Sequence, residues 1–96
     1  LAPPLVLEVR RALLDHLQDH YALYGEYSGV RSARKHIGWY VRGLPDGAAF
    51  RERMNTLDDA GLQWQVVADY FEELADRHER LPVAPVDQPE GAMEAR

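Results

Sequence analysis

Apolar residues recur along the first quarter of the chain at intervals of three and four. Val6, Val9, Leu13, Leu17, Tyr21 and Tyr24 follow this spacing, which stacks side chains on one face of an α-helix. The pattern predicts a helix over about Leu5–Tyr24, preceded by Pro3 and Pro4 and ended by Gly25. "GEYSG" then reads as a connector. Ser28 can cap a second helix over about Gly29–Arg42, which Gly43 and Pro45 stop. Asp46 is placed to cap a short third helix that turns Phe50, Met54 and Leu57 inward. Thr56 with Asp59 resembles a capping box for a fourth helix, although that box prefers Glu or Gln in the second place. Leu62, Val66, Val67, Tyr70, Phe71 and Leu74 give this helix a broad apolar face that fades near Glu79. Strand-like alternation and internal repeats are absent from the text. The expectation is an all-α domain over residues 1–80, a small four-helix bundle with mostly antiparallel neighbours. Residues 81–96, which run into "PVAPVDQPEGAMEAR", read as a disordered Pro-rich tail.

At 96 residues the chain has room for one small domain. It contains no Cys, which excludes disulfides, thiolate metal sites and a Cys nucleophile and fits a reducing, cytoplasmic setting. No apolar run approaches the roughly 20 residues that span a bilayer, so no membrane partner is expected. The text lacks an initiator Met and is expected to be a piece of something longer.

Charge changes the picture more. The net charge is −5, yet the stretch from Arg31 to Arg53 holds six bases (Arg31, Arg34, Lys35, Arg42, Arg51, Arg53) against Asp46 and Glu52. A basic island on an acidic body points to docking of something anionic rather than diffuse nucleic-acid binding. On a wheel of about 100° per residue, Arg31, Arg34, Lys35 and Arg42 fall within an arc of roughly 100°. Val30, Ala33, Ile37, Tyr40, Val41 and Leu44 take the opposite, core-facing side. Trp39 and His36 fall on the border between the two. Arg31, Arg34 and Lys35 have no acid at i±4 to pair with, and the one at i+4 of Arg42, Asp46, lies past the Gly43 and Pro45 that stop the helix. Three of the four bases are Arg, whose planar fork suits phosphate, and an indole beside them could stack on a base or ribose. Taken alone, Trp39 reads first as a half-buried core aromatic and His36 as a core-edge His with one hydrogen bond. Gly38 lies inside the stripe, where a helical Gly costs about 0.5–1 kcal/mol relative to Ala. Either a partner's backbone approaches there, or another part of a parent protein packs on it.

Other constellations carry less. His16 and His20 stand at i,i+4 with Asp15 and Asp19 beside them, a spacing that can share a metal, but the sequence offers no third ligand and no metal site is expected. Asp58 and Asp59 read as helix-start residues favoured by the dipole. The mixed charges of "DYFEELADRHER" read as a solvated helix face. Gly-rich phosphate loops and nucleophile motifs are lacking, and no catalytic residue is assigned.

"GVRSARKHIGWYVRGLP", with Ala-Arg-Lys-His-x-x-Trp-Tyr from Ala33 to Tyr40, resembles the C-terminal signature of bacterial tRNA-dihydrouridine synthases of the B subtype. "HYALYGEYSGVR" before it and "FRERMNTLDDAGLQWQVVADYFEEL" after it are similar to the flanking segments, so the resemblance covers about Leu5–Leu74. It implies a parent enzyme with an N-terminal α/β barrel that binds FMN. A barrel Cys acts there as general acid, flavin hydride reduces a uridine of the tRNA D-loop, and NADPH re-reduces the flavin. The helical domain grips and orients the tRNA. This chain would be that domain, with tRNA and its own barrel as partners and without cofactor or metal of its own. Arg31, Arg34 and Lys35 align with the family's basic run. Arg42 and Arg51 lie where the family varies, and Arg53 rests on charge alone. With Trp39 and His36 these form the candidate RNA-binding set. The alternative is a protein-interaction module whose basic stripe docks on an acidic protein surface.

Overall fold

The computed structural model describes residues 2–82, and these are all-helical. Three helices follow one another: α1 (Val6–Tyr40), α2 (Gly47–Met54) and α3 (Ala60–Arg77). The expected four become three because the first two are joined. Gly25 alone has non-helical backbone inside α1, with φ 79 and ψ 173, a left-handed region that only Gly enters at little cost. The helix resumes at once, so Glu26–Gly29 are helical rather than a connector. Ser28 does not cap; its carbonyl accepts a 2.8 Å bond from the Ser32 hydroxyl.

A straight helix of 35 residues would measure about 52 Å, whereas the longest dimension is 37 Å. The single reversed residue folds α1 back on itself as two arms, residues 6–24 and 26–40. A Cβ on Gly29 would lie 3.4 Å from the Tyr21 backbone, so the arms touch closely beside the turn. Across them, α3 packs its apolar face. Gln63 ties all three pieces together: its side chain is fully buried, accepts from the Tyr21 hydroxyl at 2.5 Å and donates to the Val30 carbonyl at 3.1 Å. Burial pushes the Tyr21 phenol far above its ordinary value, which keeps it protonated as the donor. Trp64 Nε1 donates to the Leu14 carbonyl at 3.2 Å, and Arg10 Nε to that of Ala68 at 3.0 Å.

The core is one cluster. Val6, Leu13, Leu17, Ile37, Val41, Met54, Val67 and Phe71 are essentially inaccessible, and each is worth about 1.5–3 kcal/mol of burial. Phe50 and Met54 of α2 point inward as the spacing predicts, with Leu57 half-buried. Tyr24 and Leu62, expected on apolar faces, are instead exposed. Tyr24 ends the first arm of α1 beside Gly25, and Leu62 lies in the first turn of α3.

Asp46 does precede α2, but in a left-handed conformation and without a side-chain capping bond. Gly47 after it is obligatory, because a Cβ there would meet the Val41 carbonyl oxygen at 2.2 Å. Tyr70 closes this corner by donating to the Pro45 carbonyl at 2.7 Å. Burial, with Asp46 nearby, pushes its phenol up to about 12. At α3 the cap is Asp59, which accepts from Leu62 N at 2.7 Å. Thr56 is not part of a box; its hydroxyl donates back to the Arg53 carbonyl. Glu26 supplies the second carboxylate, accepting from Ala60 N at 2.9 Å.

The two ends of the domain are clasped. Val6 N donates to the Glu79 carbonyl at 2.9 Å and Leu81 N to that of Pro4 at 3.0 Å. Arg80 reaches the Pro3 carbonyl at 2.7 Å. Leu81, assigned by pattern to the tail, is buried in the core cluster. Pro82 is exposed, and residues 83–96 of the expected tail lie outside the described residues.

Candidate nucleic-acid interface

The second arm of α1 carries the basic stripe, and its buried positions show how the arm is oriented. Val30, Ala33, Ile37, Val41 and Leu44 are buried. Tyr40, expected among them, is 40% exposed. It falls some 60° from the centre of the buried sector on the wheel, past the edge that α3 covers. Trp39 is 56% exposed and His36 is exposed, so both border residues stand outside the core.

The four stripe bases divide into two kinds. Arg31 and Arg34 are held by the protein itself. Arg34 Nη2 donates to the Leu57 carbonyl at 2.7 Å and to Asp58 Oδ1 at 2.8 Å, and its side chain is only 22% exposed. Its Nε is buried without a partner. Arg31 shares the same Asp58 oxygen at 3.4 Å, donates to the Tyr27 carbonyl at 3.1 Å and lies 3.8 Å over the Tyr27 ring. Asp58 therefore does not serve a helix start, as its position suggested. It pairs with two arginines from 24 and 27 residues away, leaving the trio with one net positive charge. No i±4 rule could have found this pairing, because it crosses between elements.

Lys35 and Arg42 are exposed and have no ion-pair partner among the described residues. Arg51 joins them from α2. A Cβ on Gly38 would lie 3.4 Å from Arg51 Nε and 3.5 Å from its Cγ. The groove left by the missing side chain is thus filled by the aliphatic stem of the chain's own Arg51. Of the two readings made from sequence, the contact seen here is of the packing kind, supplied by the chain's own α2. It sets a third unpaired cation among Arg34, Lys35 and Arg42, whose positions surround Gly38 on the helix surface. Arg53 is exposed on the same helix but lies about 200° round from Arg51, and it is not brought to the stripe.

His36 turns the other way, toward the first arm. Its ring lies 5.8 Å from that of His16 and 5.7 Å from that of His20, while His16 and His20 are 5.8 Å apart. His20 is 9% exposed, with Nε2 2.6 Å from the Ser32 hydroxyl oxygen. Burial, then the neighbouring His36 and His16, hold its pKa below the ordinary 6.5. Among the described residues no group of His, Cys, Asp or Glu is arranged, as the side chains stand, to hold a metal ion. The third histidine beside His16 and His20 was invisible in sequence, because it arrives only through the turn at Gly25.

The phosphate of a flavin nucleotide is commonly held at a helix N-terminus or in a backbone cradle. The α3 N-terminus is filled by the carboxylates of Asp59 and Glu26. The first amide of α1 is taken by Glu79 and that of α2 by Leu44. No helix is long and apolar enough to cross a membrane among the described residues.

Fold and surface together describe a small helical module with an aromatic-flanked cationic face. The family model for dihydrouridine synthase (Dus) matches residues 2–76; the chain belongs to that family. Its likeness is to the C-terminal region of the B subtype. It is 50% identical to tRNA-dihydrouridine synthase B of Shewanella oneidensis over 74 residues, which is 77% of this chain and 23% of that protein. Identity to tRNA-dihydrouridine synthase B of Pseudomonas putida is 47% over 73 residues, 76% of this chain and 22% of the relative. For the Pseudomonas aeruginosa protein of the same name the figures are 46% over 66 residues, 69% and 20%. The chain spans between a fifth and a quarter of the length of these relatives. No solved structure matches it.

Proposed function

We propose that this chain is the tRNA-gripping helical part of a flavin-dependent tRNA-dihydrouridine synthase, acting beside an FMN-binding barrel that reduces a D-loop uridine with NADPH. The observation that carries the reading is the convergence of Lys35, Arg42 and Arg51 beside an exposed Trp39. Such a surface suits RNA, which is held largely through phosphate and 2′-OH contacts and through shape. Family membership supports the same reading and supplies the reaction. A uridine lifted from its stack costs a few kcal/mol, and a second grip holds the tRNA in register while this happens. The flavin is assigned to the barrel, as the family resemblance implies. The work is cytoplasmic.

Within the candidate set, Lys35, Arg42 and Arg51 carry the phosphate contacts. Trp39 offers a stacking surface, with His36 at its edge. Arg31 and Arg34 shape the platform through Asp58 more than they bind. Salt-titrated tRNA binding tests this division. Lys35→Ala and Arg51→Ala should each lower the slope of log K against log salt by about 0.7–0.9. Equal slopes in wild type and both variants would remove this face as the RNA contact. The alternative, docking of the stripe on an acidic protein surface, would show instead as an unchanged tRNA slope and a lower melting temperature for a Lys35→Glu parent enzyme.

A further inference from the structure

We propose that Tyr27 is a second stacking residue of the cationic face, holding an unpaired RNA base at the opposite end of the stripe from Trp39. This role rests on the tRNA-binding reading of the stripe and falls to a residue outside the candidate set. Tyr27 belongs to a stretch that reads as a connector in sequence. Because α1 resumes directly after Gly25, Tyr27 is helical. It heads a row with Arg31, Lys35 and Trp39 at strict intervals of four. Residues four apart are neighbours on a helix surface, so the row forms one ridge: aromatic, cation, cation, aromatic. At 1.5 Å per residue its ends stand about 18 Å apart along the arm.

Tyr27 is 72% exposed, yet its ring is held. The Arg31 guanidinium carbon lies 3.8 Å over the ring centroid. Arg31 is tied in turn to the Tyr27 carbonyl at 3.1 Å and to Asp58 Oδ1 at 3.4 Å. One face of the ring is therefore covered by a planar cation anchored to the connection between α2 and α3, and the other is left to solvent. A ring fixed before its ligand arrives loses little rotamer freedom on binding. Since Asp58 already occupies the Arg31 charge, this end of the ridge offers a flat aromatic surface more than a phosphate contact. Unstacked RNA bases are taken up on aromatic side chains in this way, and every base has a π-face to present. Charge favours a nucleic acid over a protein as the occupant. Lys35 on the same ridge and Arg42 beside it have no ion-pair partner among the described residues, so the phosphates between two stacked bases would meet cations. A span of about 18 Å equals about five nucleotides of a stacked strand at about 3.4 Å each, short enough for both bases to come from one loop.

The test is salt-titrated tRNA binding by the 96-residue chain carrying Tyr27→Leu, Tyr27→Phe or Lys35→Ala. Tyr27→Leu should weaken binding at least about fivefold and leave the slope of log K against log salt unchanged, since no charge is lost. Tyr27→Phe should bind within about twofold of the wild type, because the ring and not the hydroxyl holds the base. Both variants should keep wild-type helicity and urea midpoints, the position being exposed. Adding tRNA should also move the Tyr27 ring-proton resonances upfield, the direction set by a base lying over the ring, which a purely structural role would not do. Wild-type affinity in Tyr27→Leu beside a reduced slope in Lys35→Ala would overturn the role of Tyr27 and leave the cationic face standing. Equal slopes in wild type and Lys35→Ala would remove the face, and Tyr27 with it. A loss in Tyr27→Phe as large as in Tyr27→Leu would also overturn stacking, by giving the contact to the hydroxyl.

Discussion

The basic stripe contains two populations that the sequence presents as one. Arg31 and Arg34 turn inward over the α2–α3 connection and share Asp58. Lys35, Arg42 and Arg51 point outward and have no such partner among the described residues. The difference follows from which residues lie within reach of Asp58, as Arg31 and Arg34 do in the earlier part of the arm. Arg34 lies beside the buried sector, where α3 begins and Leu57 presents a carbonyl. Lys35 and Arg42 lie farther round, over nothing but Arg51 and solvent. A charge at the edge of a core becomes a bracket, while one a quarter-turn away stays available to a ligand. The lesson is that a basic run counts as a binding surface only after its tertiary acids are subtracted.

Removing the outward set together should give the largest effect. Lys35→Ala, Arg42→Ala and Arg51→Ala combined should weaken tRNA binding about a hundredfold at moderate salt. Stability should stay within about 0.5 kcal/mol per site, as urea unfolding would check. Matching losses of affinity and stability would break the comparison. Next comes Arg34→Ala, which deletes two hydrogen bonds and half-buried stem contacts. It should cost about 2 kcal/mol of unfolding free energy and change tRNA affinity less than threefold when measured well below the melting point. A large affinity loss with no destabilisation would place Arg34 with the outward set. Asp58→Asn removes the shared acid. Exposed pairs are worth about 0–1 kcal/mol, so stability should fall little, while the released arginines should tighten tRNA binding about two- to threefold.

The smallest effect concerns acid. The folded state holds the His20 pKa below 6.5, so the unfolded chain binds the proton more readily there. Stability should be complete above pH 6.5 and should decline as the pH falls below that value. His16 and His36 face the same ring, whereas a guanidinium does not titrate in this range. Thermal melts across the window should lose this slope in His20→Gln and keep it in Arg34→Ala.

Much of the architecture could be read from periodicity, because burial imposes the three- and four-residue spacing directly. Leu13, Leu17, Val30, Ile37, Phe50 and Phe71 are buried where the pattern placed them. The break at Gly25 was legible too, but not its sharpness. One left-handed residue is enough to reverse a helix, so a five-residue connector was superfluous. Gln63 escaped notice because a buried amide looks like any polar residue until its two partners are in place. Trp39 and Tyr40 could not be assigned from a wheel alone, since the width of the covered sector depends on how α3 crosses the arm. The Arg34–Asp58 bracket, the seating of Arg51 on Gly38 and the approach of His36 to His16 are all products of tertiary structure. Each joins residues that are 13 to 24 positions or more apart, where neither propensity nor spacing has a signal.

The clasp between residues 3–6 and 79–81 has a mechanical consequence. The two short segments run antiparallel, with Pro4 opposite Leu81 and Val6 opposite Glu79. Tension entering from the flanking chain reaches the Arg80–Pro3 and Pro4–Leu81 bonds first and the Val6–Glu79 bond only after these have opened. The bonds are loaded one at a time, as in a zipper, and not shared as in shear. Behind them stand Val6 and Leu81, both seated in the core. Pulling on the two ends should therefore peel the first turn of α1 away at low force, before Leu13 and Leu17 feel any load.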